Sequence, residues 1–157
     1  MIMDAYNWAN FDGKAFESLI QELLYFEDSN SISYDCPGKD AGIDAISKDE
    51  KHVYQMKYIG SLKMSDAIRE ANKELKKIRK YRDKSNPNYC YWKNVNHWTL
   101  IATIRKNPTN IIKWEKEIIN KYEDLGIKID LWSISEIEAR LNKYEYLVDI
   151  YFHNHQV

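Results

Sequence analysis

The segment GKDAGIDAISKDEKHVYQMKY sets Asp44, Gln55 and Lys57 within short apolar-alternating runs, at positions that would otherwise carry packing residues. An acid, a neutral amide oxygen and a cation at one spot suit metal-assisted hydrolysis of a phosphodiester. Mg²⁺ is a hard ion that takes oxygen ligands, commonly one or two carboxylates with phosphate oxygens and water. A cation so held polarises the phosphate and acidifies a water. A lysine beside it stabilises negative charge as it develops, or orients the attacking water. A second acid is wanted, and Glu17 is the upstream candidate.

These residues need elements that bring them together. Residues 42–47 and 52–57 read as strands, and the polar residues 48–51 between them form a turn of hairpin length. That turn sets Ile46 opposite Val53 and Asp44 opposite Gln55. Opposed residues in an antiparallel pair share a face. Asp44, Gln55 and Lys57 therefore share one, with Lys57 across from side-chain-free Gly42. Ile43, Ala45, Tyr54 and Met56 take the other. Ile46 and Val53 make the polar face apolar at its turn end, which predicts cover, and covered Asp and Lys need partners. The competing reading is a solvated face of a half-exposed hairpin. Glu17 lies at the border of a helical stripe of Phe16, Leu19, Ile20, Leu23 and Leu24, with Asp12 as N-cap.

The remaining pattern supplies the layers. Residues 32–35, 97–103 and 127–133 read as strands. A helix over 66–82 buries Ile68, Ala71, Leu75 and Ile78. A second spans 110–125 and closes on Gly126. Ser135 with Glu138 predicts a capping box that opens a last helix through Leu141 and Tyr144. The order α-β-β-β-α-β-α-β-α predicts an α/β sandwich: a central mixed β-sheet flanked by helices. A chain of 157 residues fits one domain.

A formal net charge of -1 means that any anion-binding surface is local. Residues 63–84 hold nine Lys or Arg against four Asp or Glu. Lys73, Lys76, Lys77 and Lys80 are the candidates there for phosphate contact, and Lys14 and Lys39 flank the proposed site. Ion pairs on a solvated helix, such as Glu70 with Lys73 or Glu74 with Lys77, explain the same composition equally well. The aromatic run NYCYWK (88–93) reads as core cover before base stacking. Cys36 and Cys90 form no C-x-x-C and read as buried filler. With no secretory pattern and no long apolar run, the expected setting is cytoplasmic, away from membranes. His52 and His97 lack metal-ligand spacing, and His153 and His155 belong to a polar tail.

Glu17, the segment GKDAGID ending at Asp44, and QMK (Gln55, Met56, Lys57) together resemble the PD-(D/E)XK nuclease superfamily, in particular its Mrr-like restriction endonuclease branch. There a Gln replaces the second acid and a first-helix Glu joins the site. The resemblance implies a restriction-endonuclease-like sandwich and a Mg²⁺- or Mn²⁺-dependent endonuclease acting on double-stranded DNA in restriction or anti-phage defence. Glu17, Asp44, Gln55 and Lys57 would be its site, with the metal on Glu17, Asp44 and Gln55, and Asp40 beside it. It also implies a homodimer or higher oligomer when active. The chain would be either a stand-alone enzyme or the nuclease module of a longer protein with a fused or associated NTPase or sensor domain. The alternative is a catalytically silent module of the same fold for nucleic-acid binding or assembly, which the loss of one acid at Gln55 favours.

Overall fold

Strand β3 (His52–Lys57) divides the molecule, because its alternate residues enter different cores. Val53 joins one apolar cluster, while Tyr54 and Met56 join the other. The computed structural model describes residues 6–27, 32–33 and 42–153. Around β3 lies a mixed sheet in the order β1-β2-β3-β4-β5. The two-residue strands β1 (Ile32–Ser33) and β2 (Ala45–Ile46) run antiparallel, β1 to β2 and β2 to β3. Strands β4 (His97–Ala102) and β5 (Lys128–Trp132) continue parallel to β3.

The chemistry of the connections follows this geometry. The antiparallel β2–β3 pair needs only a tight turn. The Ser47 amide donates to the His52 carbonyl at 2.9 Å, and the Asp49 carboxylate accepts from Ser47 Oγ at 2.6 Å and the Lys51 amide at 3.1 Å. Parallel neighbours need crossovers. Helices α2 (Met64–Tyr81) and the short α3 (Tyr89–Trp92) link β3 to β4. Helix α4 (Pro108–Trp114), a π-helical turn (Glu115–Ile119) and a 3-10 turn (Glu123–Leu125) link β4 to β5. Gly126, at φ +67°, closes that crossover in the left-handed conformation that suits glycine.

Helix α1 (Gly13–Glu27) is capped by Asp12, whose Oδ1 accepts from the Ala15 amide at 2.7 Å. Its stripe of Phe16, Leu19, Ile20, Leu23 and Leu24 packs with Ala45, Tyr54, Met56 and Ile101. Helices α5 (Ile134–Leu141) and α6 (Glu145–Val148) complete that layer through Ile137, Leu141 and Leu147. The opposite layer sets Ala71, Leu75 and Ile78 of α2 against Val53, Trp98 and Leu100. Each fully buried Leu or Ile contributes about 1.5–3 kcal/mol, so two-sided burial of this sheet is the main stabilising term. Among the described residues no helix is long and apolar enough to cross a membrane.

Several expectations change. The second strand is Ala45–Ile46, not residues 42–47, and Ile43 packs in the α2 layer instead of beside Tyr54 and Met56. Left-handed Gly42, at φ +74°, lies where the ladder has stopped, so strict alternation no longer governs Ile43. The last crossover is not one helix over 110–125 but three short pieces. The capping box is Ser133 with Glu136, two residues earlier than Ser135 with Glu138. Glu138 instead accepts from Trp8 Nε1 at 2.9 Å. Helix α5 stops at Leu141, short of Tyr144. Cys90 is exposed, not buried filler, because only Trp92 of its short helix turns fully inward. Cys36 and residue 155 lie outside the described residues.

Candidate active site

Strands β2 and β3 pair over only Ala45↔Tyr54 and Ile46↔Val53. A continued ladder would bring the backbone of Ile43 to Met56. Instead the Met56 amide donates to Asp44 Oδ2 at 2.9 Å. The carboxylate thus replaces a backbone acceptor and is pinned where the strand ends. The truncated pairing lets both helical layers reach one place. There a cleft of about 240 Å³ is lined by Glu17 of α1, by Asp44, Gln55 and Lys57 of the hairpin, and by Glu70 and Glu74 of α2.

The electrostatics of this cleft are uneven. Burial pushes the Asp44 carboxyl up from 3.8 to about 6. The Met56 amide and Lys57 oppose the rise, while the charges of Glu17 and Glu74 add to it. Lys57 Nζ lies 3.4 Å from Glu70 Oε2, an ion pair without hydrogen-bond alignment. Among the described residues that Glu70 oxygen is buried with no hydrogen-bond partner. Lys77 Nζ is 3.7 Å from Glu74 Oε1. Among the described residues four carboxylates therefore face two ammonium groups, which is an environment suited to a further cation.

Gln55 is held from both sides. Its Oε1 accepts from Trp98 Nε1 at 2.9 Å, and its Nε2 donates to Glu74 Oε2 at 2.8 Å. As placed, the amide oxygen is turned to the indole, so the expected oxygen-donor role falls to its second lone pair alone. What Gln55 does in this arrangement is tie α2 to the strand and fix Glu74 beside Asp44.

Glu17, Asp44, Gln55 and Lys57 line one cleft; the hairpin pairing predicts a shared face for the last three, and Glu17 enters from the border of the α1 stripe. The structure adds Glu70 and Glu74, which had been read as helix-surface partners of lysines. Glu70 pairs with Lys57 and not with Lys73. The signal for both was helical phase: residues 70, 74, 77 and 81 form one stripe beside the core stripe of Ala71, Leu75 and Ile78. Lys14, Lys73, Lys76, Lys77 and Lys80 are all exposed. Lys39 and Asp40 lie outside the described residues.

The carboxylate oxygens of Asp44 and Glu17 fit a hard divalent cation in type and charge. The donor set is not closed around a point. Among the described residues no three His, Cys, Asp or Glu side chains converge closely enough to hold a metal ion.

A second polar cluster occupies the other end of β3. The parallel pairing sets His52 against His97, and their rings stack at 3.6 Å between centroids and 11° between planes. His97 Nε2 meets Asp130 Oδ2 at 2.5 Å, and His52 Nε2 meets Thr99 Oγ1 at 2.7 Å. Burial, reinforced by His97, pulls His52 down to about 4. Stacked faces keep the ring nitrogens from converging on one ligand, so the cluster reads as structural.

No protein-family model matches the chain, and no curated protein matches it.

Proposed function

We propose that the cleft between α1, α2 and the β2–β3 hairpin is the active site of a metal-dependent endonuclease that hydrolyses DNA phosphodiesters. The observation that carries this reading is the convergence of Glu17, Asp44, Glu70 and Glu74 on a cleft that also holds Lys57. On this reading the fold is a variant of the restriction-endonuclease sandwich, and the setting is restriction or anti-phage defence.

Asp44 and Glu17 would hold the Mg²⁺ or Mn²⁺ together with water and phosphate oxygens, and the metal when bound would supply Lewis acidity toward the phosphate. Glu74, held in position by Gln55, adds negative charge beside these carboxylates. Lys57 sits beside the acids with its side chain 44% exposed. It neutralises charge that develops on the phosphate oxygens. Glu70 holds that ammonium within the cleft.

Substrate positioning falls to the outer face of α2. The phase of the helix sets residues 73, 76 and 80 next to the stripe of residues 70, 74, 77 and 81 that lines the cleft. A phosphate backbone lying along these lysines would pass the mouth of the site. Cutting both strands of a duplex requires two such sites, hence a second copy.

The test is plasmid cleavage with Mg²⁺ or Mn²⁺, against EDTA and against Lys57→Ala. Nicking or linearisation that needs the metal and disappears in the variant supports the reading. Salt-sensitive DNA binding without cleavage, under forced dimerisation as well, would favour the silent module.

A further inference from the structure

Among the described residues β5 ends the sheet, and nothing pairs with its outer side. The direction of its backbone groups is fixed by its inner neighbour. The Lys128 amide donates to the Asn96 carbonyl at 2.9 Å, so residues 128, 130 and 132 turn their amides and carbonyls toward β4. Ile129 and Leu131 turn theirs outward. Their side chains are nonetheless buried in the α2 layer. The side chains of Lys128 and Asp130 stand on the other face, 71% and 40% exposed.

We propose that this edge is a self-association surface: two copies pair β5 to β5, antiparallel, about a two-fold axis at Ile129. The charges select that alignment. Centred on Ile129, each Lys128 lies opposite the partner's Asp130, twice over by symmetry. Centred on Asp130, carboxylate would face carboxylate, and centred on Lys128, ammonium would face ammonium. The backbone selects the same alignment. Ile129 faces its own copy as a hydrogen-bonded pair, and Ile127 faces the partner's Leu131. Lys128 and the partner's Asp130 then take the non-hydrogen-bonded positions, where opposed side chains lie closest.

Apolar surface beside the edge points the same way. A groove of about 210 Å³ lies along β5, walled by Ile111 and Trp114 of α4 and by Ile129 and Leu131, with Lys106, Glu115 and Asp130 adding charge at its border. Ile111 and its neighbour Ile112 are 39% and 64% exposed. Ile111 thus leaves exposed aliphatic surface beside an edge that also carries Lys128, Asp130 and Lys106. One element narrows the site: Lys106 Nζ donates to the Leu131 carbonyl at 2.9 Å. A carbonyl has two lone pairs, so a partner amide at Leu131 bonds beside the lysine.

The pairing does not draw on the nuclease reading, and its test reads mass and not cleavage. The full chain is examined by sedimentation equilibrium at low and high micromolar concentration. The expected species is twice the 18.7 kDa chain mass. Lys128→Asp and Asp130→Lys each place like charges opposite one another and should weaken dimerisation roughly tenfold or more. Mixed with each other, the two variants face Asp with Lys at both positions and should recover the dimer. Circular dichroism checks that each remains folded. Monomer throughout for the wild type, or a dimer indifferent to both variants, would overturn the proposal. So would a dimer lost on Tyr146→Ser at the separate exposed patch of Tyr25, Phe26 and Tyr146.

Discussion

The two ends of β3 carry polar clusters of similar size and opposite character. At the start of the strand, His52 and His97 stack and each finds a partner, Thr99 for one and Asp130 for the other. Toward its end, Asp44, Glu17, Glu70 and Glu74 gather around Lys57 and Lys77, and among the described residues the buried Glu70 Oε2 has an ion-pair neighbour in Lys57 but no hydrogen bond. The first cluster satisfies itself, whereas the second is left with surplus negative charge. A fold that can close a polar network at one end of a strand and leaves one open at the other marks the open one as the place where something binds.

Activity gives the largest contrast. Lys57→Ala and Asp44→Asn should each lower metal-dependent DNA cleavage by roughly a hundredfold or more, while His52→Gln leaves it near wild type. Comparable losses in all three would erase the distinction between the two ends.

Stability against pH separates the clusters with opposite signs. Asp44 keeps its proton to about pH 6 in the fold but only to about 3.8 unfolded. As pH rises through that window the unfolded chain releases its proton first, so stability is lost, by at most about 3 kcal/mol. His52 titrates near 4 in the fold and near 6.5 unfolded. As pH falls through that window the unfolded chain gains its proton first, so stability is again lost, by at most about 3 kcal/mol. In the wild type the two slopes oppose each other between pH 4 and 6. Asp44→Asn should expose a protein that weakens toward acid, and His52→Gln one that strengthens toward acid. Melting curves across this range would show it, and unchanged profiles in both variants would contradict it.

Smaller effects sharpen the description of the cleft. Trp98→Phe removes the donor to Gln55 Oε1 and, because Trp98 is fully buried, also leaves a small cavity. It should cost about 1–2 kcal/mol of stability and lower cleavage by releasing Glu74; calorimetry and the plasmid assay read the two. Lys76→Gln with Lys80→Gln should leave folding intact and reduce the salt slope of DNA binding by up to about 2. An unaltered slope would remove the outer face of α2 from the substrate path.

The hairpin was the most legible part of the molecule. Its four-residue turn sets Ile46 opposite Val53 and so groups Asp44, Gln55 and Lys57, although the ladder stops at Ala45 and Ile43 leaves the face that alternation assigns it. The buried stripes of α1 and α2 followed from their period for the same reason: one face of each is covered from end to end. Glu70 and Glu74 were missed because charged residues at helix spacing look alike whether they meet lysines or a cleft. Only packing shows which shoulder of α2 faces the hairpin. The orientation of Gln55 was beyond pattern, since it depends on an indole 43 positions away in sequence. The three-piece crossover and the earlier cap at Ser133 turned on single hydrogen bonds, where periodicity has little to say.

The central claim is that the open cluster is a cation site organised by Asp44. Its most direct test is the melting temperature of the wild type and of Asp44→Asn, with and without millimolar Mn²⁺, at pH 8. The account predicts that Asp44→Asn melts higher than the wild type without metal, and that Mn²⁺ raises the wild type and leaves the variant unmoved. Equal shifts in both proteins, or none in either, would contradict it.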